Sequence, residues 1–206
     1  TDKIIILSNG YSFKENLPLL SKIDKRTLVI AVNGVINHWN NFKIDYYLLN
    51  NPFVPKIVNL KMYPKIIMSK RLNSTLAGFL KKKKALMYQY SPTMNDKFGV
   101  QDDHFYEIDD YRNPIAAAFH LSYMFGAKKI GLLFCDNSFK DYKISSVKLE
   151  NGLYCYPQNL KYENIINSMA HWLKVNEEKY ELFNCSSGNP LDNFTNLSVQ
   201  EFIDQF

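Results

Sequence analysis

Small polar side chains follow the apolar segments of this sequence, and asparagine recurs among them. Asn9 follows the first segment, Asn33 the second and Asn51 the third. A carboxamide donates and accepts hydrogen bonds without carrying charge, which suits it to a nucleotide base, a ribose hydroxyl or a phosphate oxygen. One asparagine after a strand is most often a turn residue, but three at successive strand ends predict a common binding edge. Gly10 and Gly34 stand beside two of them and would let the backbone approach a ligand closely.

Two later apolar segments also end in small polar residues. The first continues into Cys135-Asp136-Asn137-Ser138, and the second into Cys185-Ser186-Ser187-Gly188-Asn189. Common nucleotide and hydrolase signatures are missing from the sequence: it contains neither a lysine-bearing P-loop nor a G-x-S-x-G elbow. The third segment ends in Asn50-Asn51 and not in aspartates, so we predict no metal site there.

The elements that must position these residues alternate along the chain, since short apolar runs are separated by amphipathic stretches. Strands are predicted over Ile4–Leu7, Leu28–Val32, Tyr46–Leu49, Lys129–Phe134 and Tyr180–Phe183, with weaker ones at Ile66–Met68 and Ala85–Tyr90. Helices are predicted over Ser12–Lys22, Val35–Asn40, Asn164–Val175 and Val199–Phe206, with a further helical stretch after Arg71. Ser12 and Glu15 have the spacing of a capping box at the start of the first helix.

The clearest helix is the alanine-rich one in "RNPIAAAFHLSYMFGAKKIGLLF". Asn113 can cap it, Pro114 fits its first turn and Gly126 provides its C-terminal stop. Strand and helix in this alternation predict right-handed crossovers and one mainly parallel, doubly wound α/β sheet with helices on both faces. We predict a single Rossmann-like domain over residues 1–206, in which residues 137–160 form an irregular, lid-like segment.

Composition indicates an ordinary globular protein, with 46% hydrophobic residues, 22% charged residues and a net charge of +5. Part of the positive charge comes from Lys81, Lys82, Lys83 and Lys84. These lysines are either a solvated loop or frayed helix end, or a basic edge that faces an anionic substrate, nucleic acid or, by peripheral association, a membrane. Three cysteines without a C-x-x-C pair predict reduced thiols. No apolar run approaches the roughly 18–20 residues of a membrane span, and the N-terminal residues do not form a signal peptide, so the prediction is cytoplasmic.

The same residues resemble a known group of enzymes. "KIIILSNGYSFKENL", "AVNGVINHW" and "DYYLLNNPF" resemble the opening of bacterial lipo-oligosaccharide sialyltransferases. "AAAFHLSYMFGAKKIGLLFCDNSF" and "ELFNCSSGNPLDNF" are similar to their later helix–strand unit and last strand. The layout also resembles archaeal MptE-like 6-hydroxymethylpterin pyrophosphokinases and flagellin-modifying transferases. The resemblance implies a Rossmann-like fold of the glycosyltransferase-A-variant type and metal-independent transfer from a CMP-sialic acid-type donor to a glycan or small acceptor, with no cofactor.

Residue roles follow from the resemblance alone. It implies that Asn9, Gly10 and Ser12 meet the phosphate and sugar of a cytidine nucleotide. It also implies that Asn33 and Asn51 contact the ribose, the base or the donor sugar, and that Asp136 organises the loop that closes the site. Ser186 or Ser187 would line the far wall of the site, and Tyr156 and Tyr162 would hold the leaving phosphate.

The sequence departs from these families at the position of their general base. The sialyltransferases carry a histidine before the penultimate helix, whereas "NGLYCYPQNLKYENI" contains tyrosines, which are poor bases at neutral pH. Among the histidines, His120 and His171 lie beside apolar residues and are predicted to be core side chains, while His38 and His104 fall nearer the binding edge. Asp136 is the candidate catalytic carboxylate.

Two alternatives to a sialyltransferase-like enzyme stay open. One is a pyrophosphokinase that uses ATP and Mg²⁺, and the other is a nucleotide-binding protein of the same fold without catalysis. Nucleic acid is not an expected partner, because the aromatic residues fall at core-like spacings and do not alternate with the lysines. A homo-oligomer is compatible with the sequence.

Overall fold

Ten strands and four α-helices lie in the described part of this computed structural model. The structure describes residues 2–32, 35, 42–49, 65–69, 86–88, 114–136, 147–148, 154–155, 162–176, 179–186 and 191–206. The strands are β1 Lys3–Leu7, β2 Leu28–Val32, β3 Tyr46–Leu49, β4 Lys65–Ser69, β5 Leu86–Tyr88, β6 Lys129–Leu133, β7 Val147–Lys148, β8 Tyr154–Cys155, β9 Glu181–Cys185 and β10 Thr195–Asn196. The α-helices are α1 Phe13–Asn16, α2 Pro114–Met124, α3 Tyr162–Asn176 and α4 Val199–Gln205, and a 3₁₀ helix spans Leu17–Lys22.

Eight of the strands form one sheet in the order β10-β9-β6-β1-β2-β3-β4-β5. All neighbouring pairs in it are parallel, and Leu7 at the end of β1 is in register with Ala31 and Leu133. The chain runs outward from β1 to β5, then returns to the other side of β1 at β6 and continues to β9 and β10. The strand order therefore reverses between β1 and β6, as expected for the predicted doubly wound α/β fold.

Helices cover both faces of this sheet, so its central strands are apolar on both sides. In β1, Ile4 and Ile6 face a cluster with α2 and α3, whereas Ile5 and Leu7 face a cluster with α1, the 3₁₀ helix and α4. These four side chains are fully buried. A strand that is apolar at every position needs this arrangement, because its successive side chains point to opposite faces.

Helix α2 begins at Pro114 and ends where Gly126 adopts a φ of +73°. The N–H of Ala127 donates to the carbonyl of Ser122 at 3.1 Å, and the N–H of Gly126 donates to the carbonyl of Tyr123 at 2.8 Å. This is a Schellman termination, which requires a residue that tolerates positive φ. The predicted helix start at Pro114 and stop at Gly126 are confirmed, while Asn113 lies outside the described residues.

The predicted helix over Ser12–Lys22 is wrong in its second half. Only α1 is α-helical, and Leu17–Lys22 is a 3₁₀ helix. Pro18 explains the change, because a proline inside an α-helix lacks the N–H donor and its ring clashes with the carbonyl four residues earlier.

Two other expectations concern segments that are described only in part. Residues 137–160 were expected to be irregular, but the described parts, β7 and β8, form an antiparallel pair. The lid role of that segment stays a prediction. Of the short helix expected over Val35–Asn40, the structure describes Val35 alone, and the helical stretch after Arg71 lies outside the described residues.

Gly131, in the middle of β6, leaves the space that α4 occupies. A Cβ at this position would lie 2.4 Å from Cζ of Phe202 and 2.8 Å from Cζ of Phe206. Gly131→Ala is expected to lower the free energy of unfolding by about 1–3 kcal/mol, because the rings are packed in the core and cannot move freely. Urea denaturation measures the loss. The double variant Gly131→Ala/Phe202→Leu should lose less stability than the sum of the losses in the two single variants, because the smaller side chain makes room for the new methyl group. A loss equal to that sum would contradict the assigned contact.

Candidate functional site at the exits of β1, β6 and β9

The loop that leaves β1 lies against the chain that leaves β6. The N–H of Ser8 donates to the carbonyl of Leu133, and the N–H of Gly10 donates to the carbonyl of Phe134, both at 3.0 Å. The N–H of Phe13, the first residue of α1, donates back to the carbonyl of Gly10 at 3.0 Å. Because the strand order reverses between β1 and β6, this contact lies at the edge where doubly wound sheets bind their ligands.

Gly10 is packed directly against the Asp136 carboxylate. A Cβ on Gly10 would lie 2.2 Å from Oδ2 of Asp136 and 2.6 Å from the carbonyl oxygen of Phe134, so only glycine fits. The hydroxyl of Ser12 donates to the same Oδ2 at 3.4 Å. The glycine was expected to admit a ligand to the backbone, but the group that approaches it is Asp136. The β1 loop and the only carboxylate predicted for the site therefore form one unit.

The capping box predicted at Ser12 and Glu15 is wrong. Ser12 is the N-cap of α1, but its side chain makes no capping hydrogen bond and its backbone is already helical, with φ −82° and ψ −8°. Its hydroxyl instead points to Asp136, which lies 124 residues further along the chain. The Ser12 hydroxyl therefore joins the start of α1 to the β6 exit instead of capping the helix.

The exit of β9 forms the other side of the site. The N–H of Phe134 donates to the carbonyl of Cys185, and the N–H of Cys135 donates to the hydroxyl oxygen of Ser186, both at 3.1 Å. A serine hydroxyl that accepts one hydrogen bond can still donate its own proton. Ser186 can therefore bind an acceptor on a ligand while it anchors the β6 exit.

The two cysteines beside Asp136 are poor nucleophiles. Burial raises the pKa of Cys135 well above its usual value, with a smaller contribution from the Asp136 charge. Burial also raises the pKa of Cys185 to about 12, again helped by Asp136. Both thiols are free and buried, so they stay protonated at neutral pH and the thiolate form that nucleophilic chemistry needs is not available.

Neither described histidine belongs to the exits of β1, β6 or β9, since one lies in α2 and the other in α3. His120 is buried in α2, as predicted, and burial lowers its pKa to about 4. His171 was expected in the core but is exposed on α3. The face of α3 that packs in the core is formed by Ile166, Met169, Ala170 and Leu173, and His171 does not lie on that face.

The buried His120 should make stability depend on pH. Its pKa is about 4 in the folded chain against 6.5 in its usual state, so between these values the unfolded chain binds more protons. Stability is therefore fully present above pH 6.5 and falls as the pH drops from 6.5 to 4. We expect wild type to lose about 1 kcal/mol of unfolding free energy between pH 7.5 and 5.5 through this group.

Urea denaturation at the two pH values measures this loss. His120→Gln should remove that part of the pH dependence, whereas His171→Gln, at an exposed position, should leave it in place. Equal pH dependence in wild type and His120→Gln would contradict the assignment.

Phe134 is the residue of this site that the sequence does not reveal. Its φ of +55° makes it the one non-glycine residue with positive φ in the described ranges. A bulky residue rarely adopts this conformation, and such outliers cluster at functional sites. Nothing in the residue type signals it, since asparagine or glycine would be the expected choice for a left-handed position.

The structure places five of the predicted site residues at the exits of three adjacent strands. They are Asn9, which is exposed, Gly10, Ser12, Asp136 and Ser186. Tyr162 is the first residue of α3, without a described side chain. Asn33, Asn51, Tyr156 and Ser187 lie outside the described residues, as do Lys81, Lys82, Lys83, Lys84, His38 and His104. Their roles stay predictions, although β2 and β3, which precede Asn33 and Asn51, end at the same edge as β1.

Among the described residues, no group of three or more histidine, cysteine or acidic side chains is arranged to hold a metal ion. Likewise, none of the helices described is long and apolar enough to cross a membrane.

Comparison with known proteins identifies the fold through solved structures. No protein-family model matches the sequence, and no curated protein does. The MAf glycosyltransferase from Magnetospirillum magneticum AMB-1 superimposes with a TM-score of 0.66 and 13% identity over 97% of this chain. The match covers 34% of the MAf glycosyltransferase, so the present chain spans about a third of its length. The predicted resemblance to glycosyltransferases is confirmed at the level of the α/β fold.

A second solved structure is similar over nearly the whole of both chains. The sialyltransferase CstII from Campylobacter jejuni, in complex with the substrate analogue cytidine-5′-monophosphate, is 14% identical over 95% of this chain and 85% of its own, with a TM-score of 0.43.

Proposed function

We propose that this chain binds a nucleotide-activated sugar at the exits of β1, β6 and β9 and transfers the sugar to a hydroxyl of a glycan or small acceptor. The favoured donor is of the CMP-sialic acid type, and no metal or cofactor takes part. The sequence resemblance to lipo-oligosaccharide sialyltransferases supports the donor, and the α/β fold shared with a glycosyltransferase supports the reaction class.

One observation carries the proposal: the Asp136 carboxylate, which follows β6, packs directly against the loop after β1. Its Oδ2 accepts the Ser12 hydroxyl at 3.4 Å and lies where a side chain of Gly10 would be. Asp136 itself is only half-buried. A carboxylate held at the ligand-binding edge of a doubly wound sheet is suited to accept hydrogen bonds from sugar hydroxyls, or a proton from one of them.

The transfer step follows from that position. The acceptor hydroxyl oxygen forms a bond to the anomeric carbon of the donor sugar, and the bond from that carbon to the phosphate oxygen breaks. The nucleoside monophosphate leaves with the electron pair. Asp136 takes the proton from the acceptor hydroxyl, which is the usual task of a general base in glycosyl transfer to oxygen.

We assign the donor phosphate mainly to side chains, because part of the β1 loop backbone is already engaged. The N–H groups of Ser8, Gly10 and Phe13 already donate to protein carbonyls, and α1 is a single turn with a small dipole. Asn9 is exposed beside them and can supply an amide donor. We assign the developing charge of the leaving phosphate to Asn9 and to the tyrosines Tyr156 and Tyr162, and contacts with the ribose, base or donor sugar to Asn33 and Asn51.

Calorimetry with CMP, CDP, UMP and ATP tests the binding step. We expect a cytidine nucleotide to bind at up to millimolar concentration, equally well with Mg²⁺ and with a chelator. Release of CMP from CMP-sialic acid then tests turnover. Gly126→Ala is a control for nonspecific loss of structure, because Gly126 lies between the end of α2 and the start of β6, at the opposite edge of the sheet from the strand exits.

Each result separates the alternatives. Absence of cytidine nucleotide binding at millimolar concentration rejects the proposed function. Binding of ATP that a chelator abolishes points to a pyrophosphokinase. Cytidine nucleotide binding without turnover for any acceptor indicates a nucleotide-binding protein of this fold.

A further inference from the structure

The backbone at the exit of β6 departs from the pattern of a parallel strand. In such a strand the N–H and C=O of one residue bond to the same neighbour, and successive residues alternate between the two neighbours. The carbonyl of Leu133 lies on the β1 side, where the N–H of Ser8 donates to it. Phe134 should then direct both of its groups to β9.

Phe134 instead divides its two groups between the neighbours. Its N–H donates to Cys185 of β9 at 3.1 Å, but its carbonyl accepts from Gly10 in the β1 loop at 3.0 Å. The N–H of Cys135 then points to the β9 side and donates to Ser186 at 3.1 Å. The positive φ of Phe134 produces this division, because it rotates the chain at that residue.

Phe134 therefore connects the β1 loop on one side of the site with the β9 exit on the other. Two successive carbonyls, of Leu133 and Phe134, hold the β1 loop, and two successive N–H groups, of Phe134 and Cys135, hold the β9 exit. The same rotation lets the chain continue to Asp136 at the position where it meets Gly10.

The Phe134 side chain fixes this backbone in place. The ring is fully buried and packs edge-on against Phe13, with 5.8 Å between centroids and an interplanar angle of 76°. Phe13 in turn donates its N–H to Gly10. Ring and carbonyl of Phe134 therefore hold the β1 loop at two points.

We propose that Phe134 is a positioning residue of the site. Its left-handed backbone sets the separation of the β1 loop from the β9 exit, and so the placement of Gly10, Asp136 and Ser186 around the ligand. For the identity of that ligand the inference rests on the proposed function, but the geometry can be tested without any ligand.

Phe134→Leu and Phe134→Ile form a matched pair of variants. Both remove the ring and leave isomeric side chains of equal atom count, but isoleucine is β-branched and tolerates positive φ less well. Amide hydrogen exchange at Gly10 reports the hydrogen bond to the β1 loop, and exchange at Cys135 reports the hydrogen bond to the β9 exit. Each rate is normalised to that of the core amide of Ile5 in the same variant. We expect exchange at both to be about tenfold faster in Phe134→Ile than in Phe134→Leu, and the affinity for CMP to be about tenfold lower.

Equal normalised exchange and equal affinity in the two variants would overturn the proposal. If wild type binds no nucleotide, the proposed function fails, while the exchange contrast still decides the role of Phe134. If the variants do not fold, wild type can still be tested by the NMR coupling across the hydrogen bond from Gly10 ¹⁵N to the Phe134 carbonyl carbon. Detection of that coupling supports the link between Phe134 and the β1 loop, and its absence contradicts the proposal.

Discussion

Gly10→Ala is expected to lower the affinity for a cytidine nucleotide by about 100-fold, the size of effect that follows when groups at a site are displaced by about an ångström. The new methyl would lie 2.2 Å from Oδ2 and 2.6 Å from Cγ of Asp136, and 2.6 Å from the Phe134 carbonyl oxygen. Two of these atoms belong to a side chain held by Ser12, and the third belongs to buried backbone. Either Asp136 moves away or the hydrogen bond from Gly10 to Phe134 breaks. Calorimetry with CMP measures the loss.

Gly126→Ala is the matched control for this result. Gly126 has no heavy atom within 4 Å of an added Cβ, but its φ of +73° makes alanine unfavourable, at a cost of about 1–2 kcal/mol. Overpacking at Gly10 should cost a similar unfolding free energy, about 1–3 kcal/mol. The two variants therefore lose comparable stability, but only Gly10→Ala should lose affinity. Binding by Gly10→Ala at the wild-type level would show that the contact with Asp136 does not matter for the ligand.

The sequence predicts the sheet well because its signals are local. The observed bounds of β2 and β3 are the predicted ones, and β1 and β6 differ from prediction by one residue at an end. An apolar run bounded by polar turn residues marks a buried parallel strand without any knowledge of its neighbours. The helix stop at Gly126 is equally predictable, because it depends on one residue and its backbone angle.

The site is harder to predict because its contacts join distant parts of the chain. Ser12 has the local spacing of a capping box, but Asp136 takes its hydroxyl in the fold. A complete capping box forms instead at Ser198 and Glu201, where no distant partner competes for the serine. The residue types at strand exits could be read from the sequence, whereas the strained turn at Phe134 depends on tertiary hydrogen bonds and on the packing of its ring against Phe13.

The second large effect concerns Asp136→Asn. We expect this variant to lower the rate of sugar transfer by about 100-fold or more, which is the usual contribution of a general base. Asparagine keeps the size of the side chain and an oxygen that can accept the Ser12 hydroxyl, but it cannot take a proton from the acceptor. Donor affinity should therefore change little. Initial rates of CMP release, measured across pH at several concentrations of CMP-sialic acid, give kcat and the donor KM separately.

Asp204→Asn supplies the control for the charge change. Asp204 is exposed on α4 and accepts a hydrogen bond from Gln200, so its replacement removes one negative charge away from the site and should leave the rate unchanged. A second readout, the pKa of Cys185, does not depend on activity. The Asp136 charge helps burial raise that pKa to about 12. In Asp136→Asn the pKa of Cys185 should therefore fall, although burial keeps it above its usual value. If the Cys185 pKa falls but transfer proceeds at the wild-type rate, Asp136 holds the β1 loop and another group takes the proton.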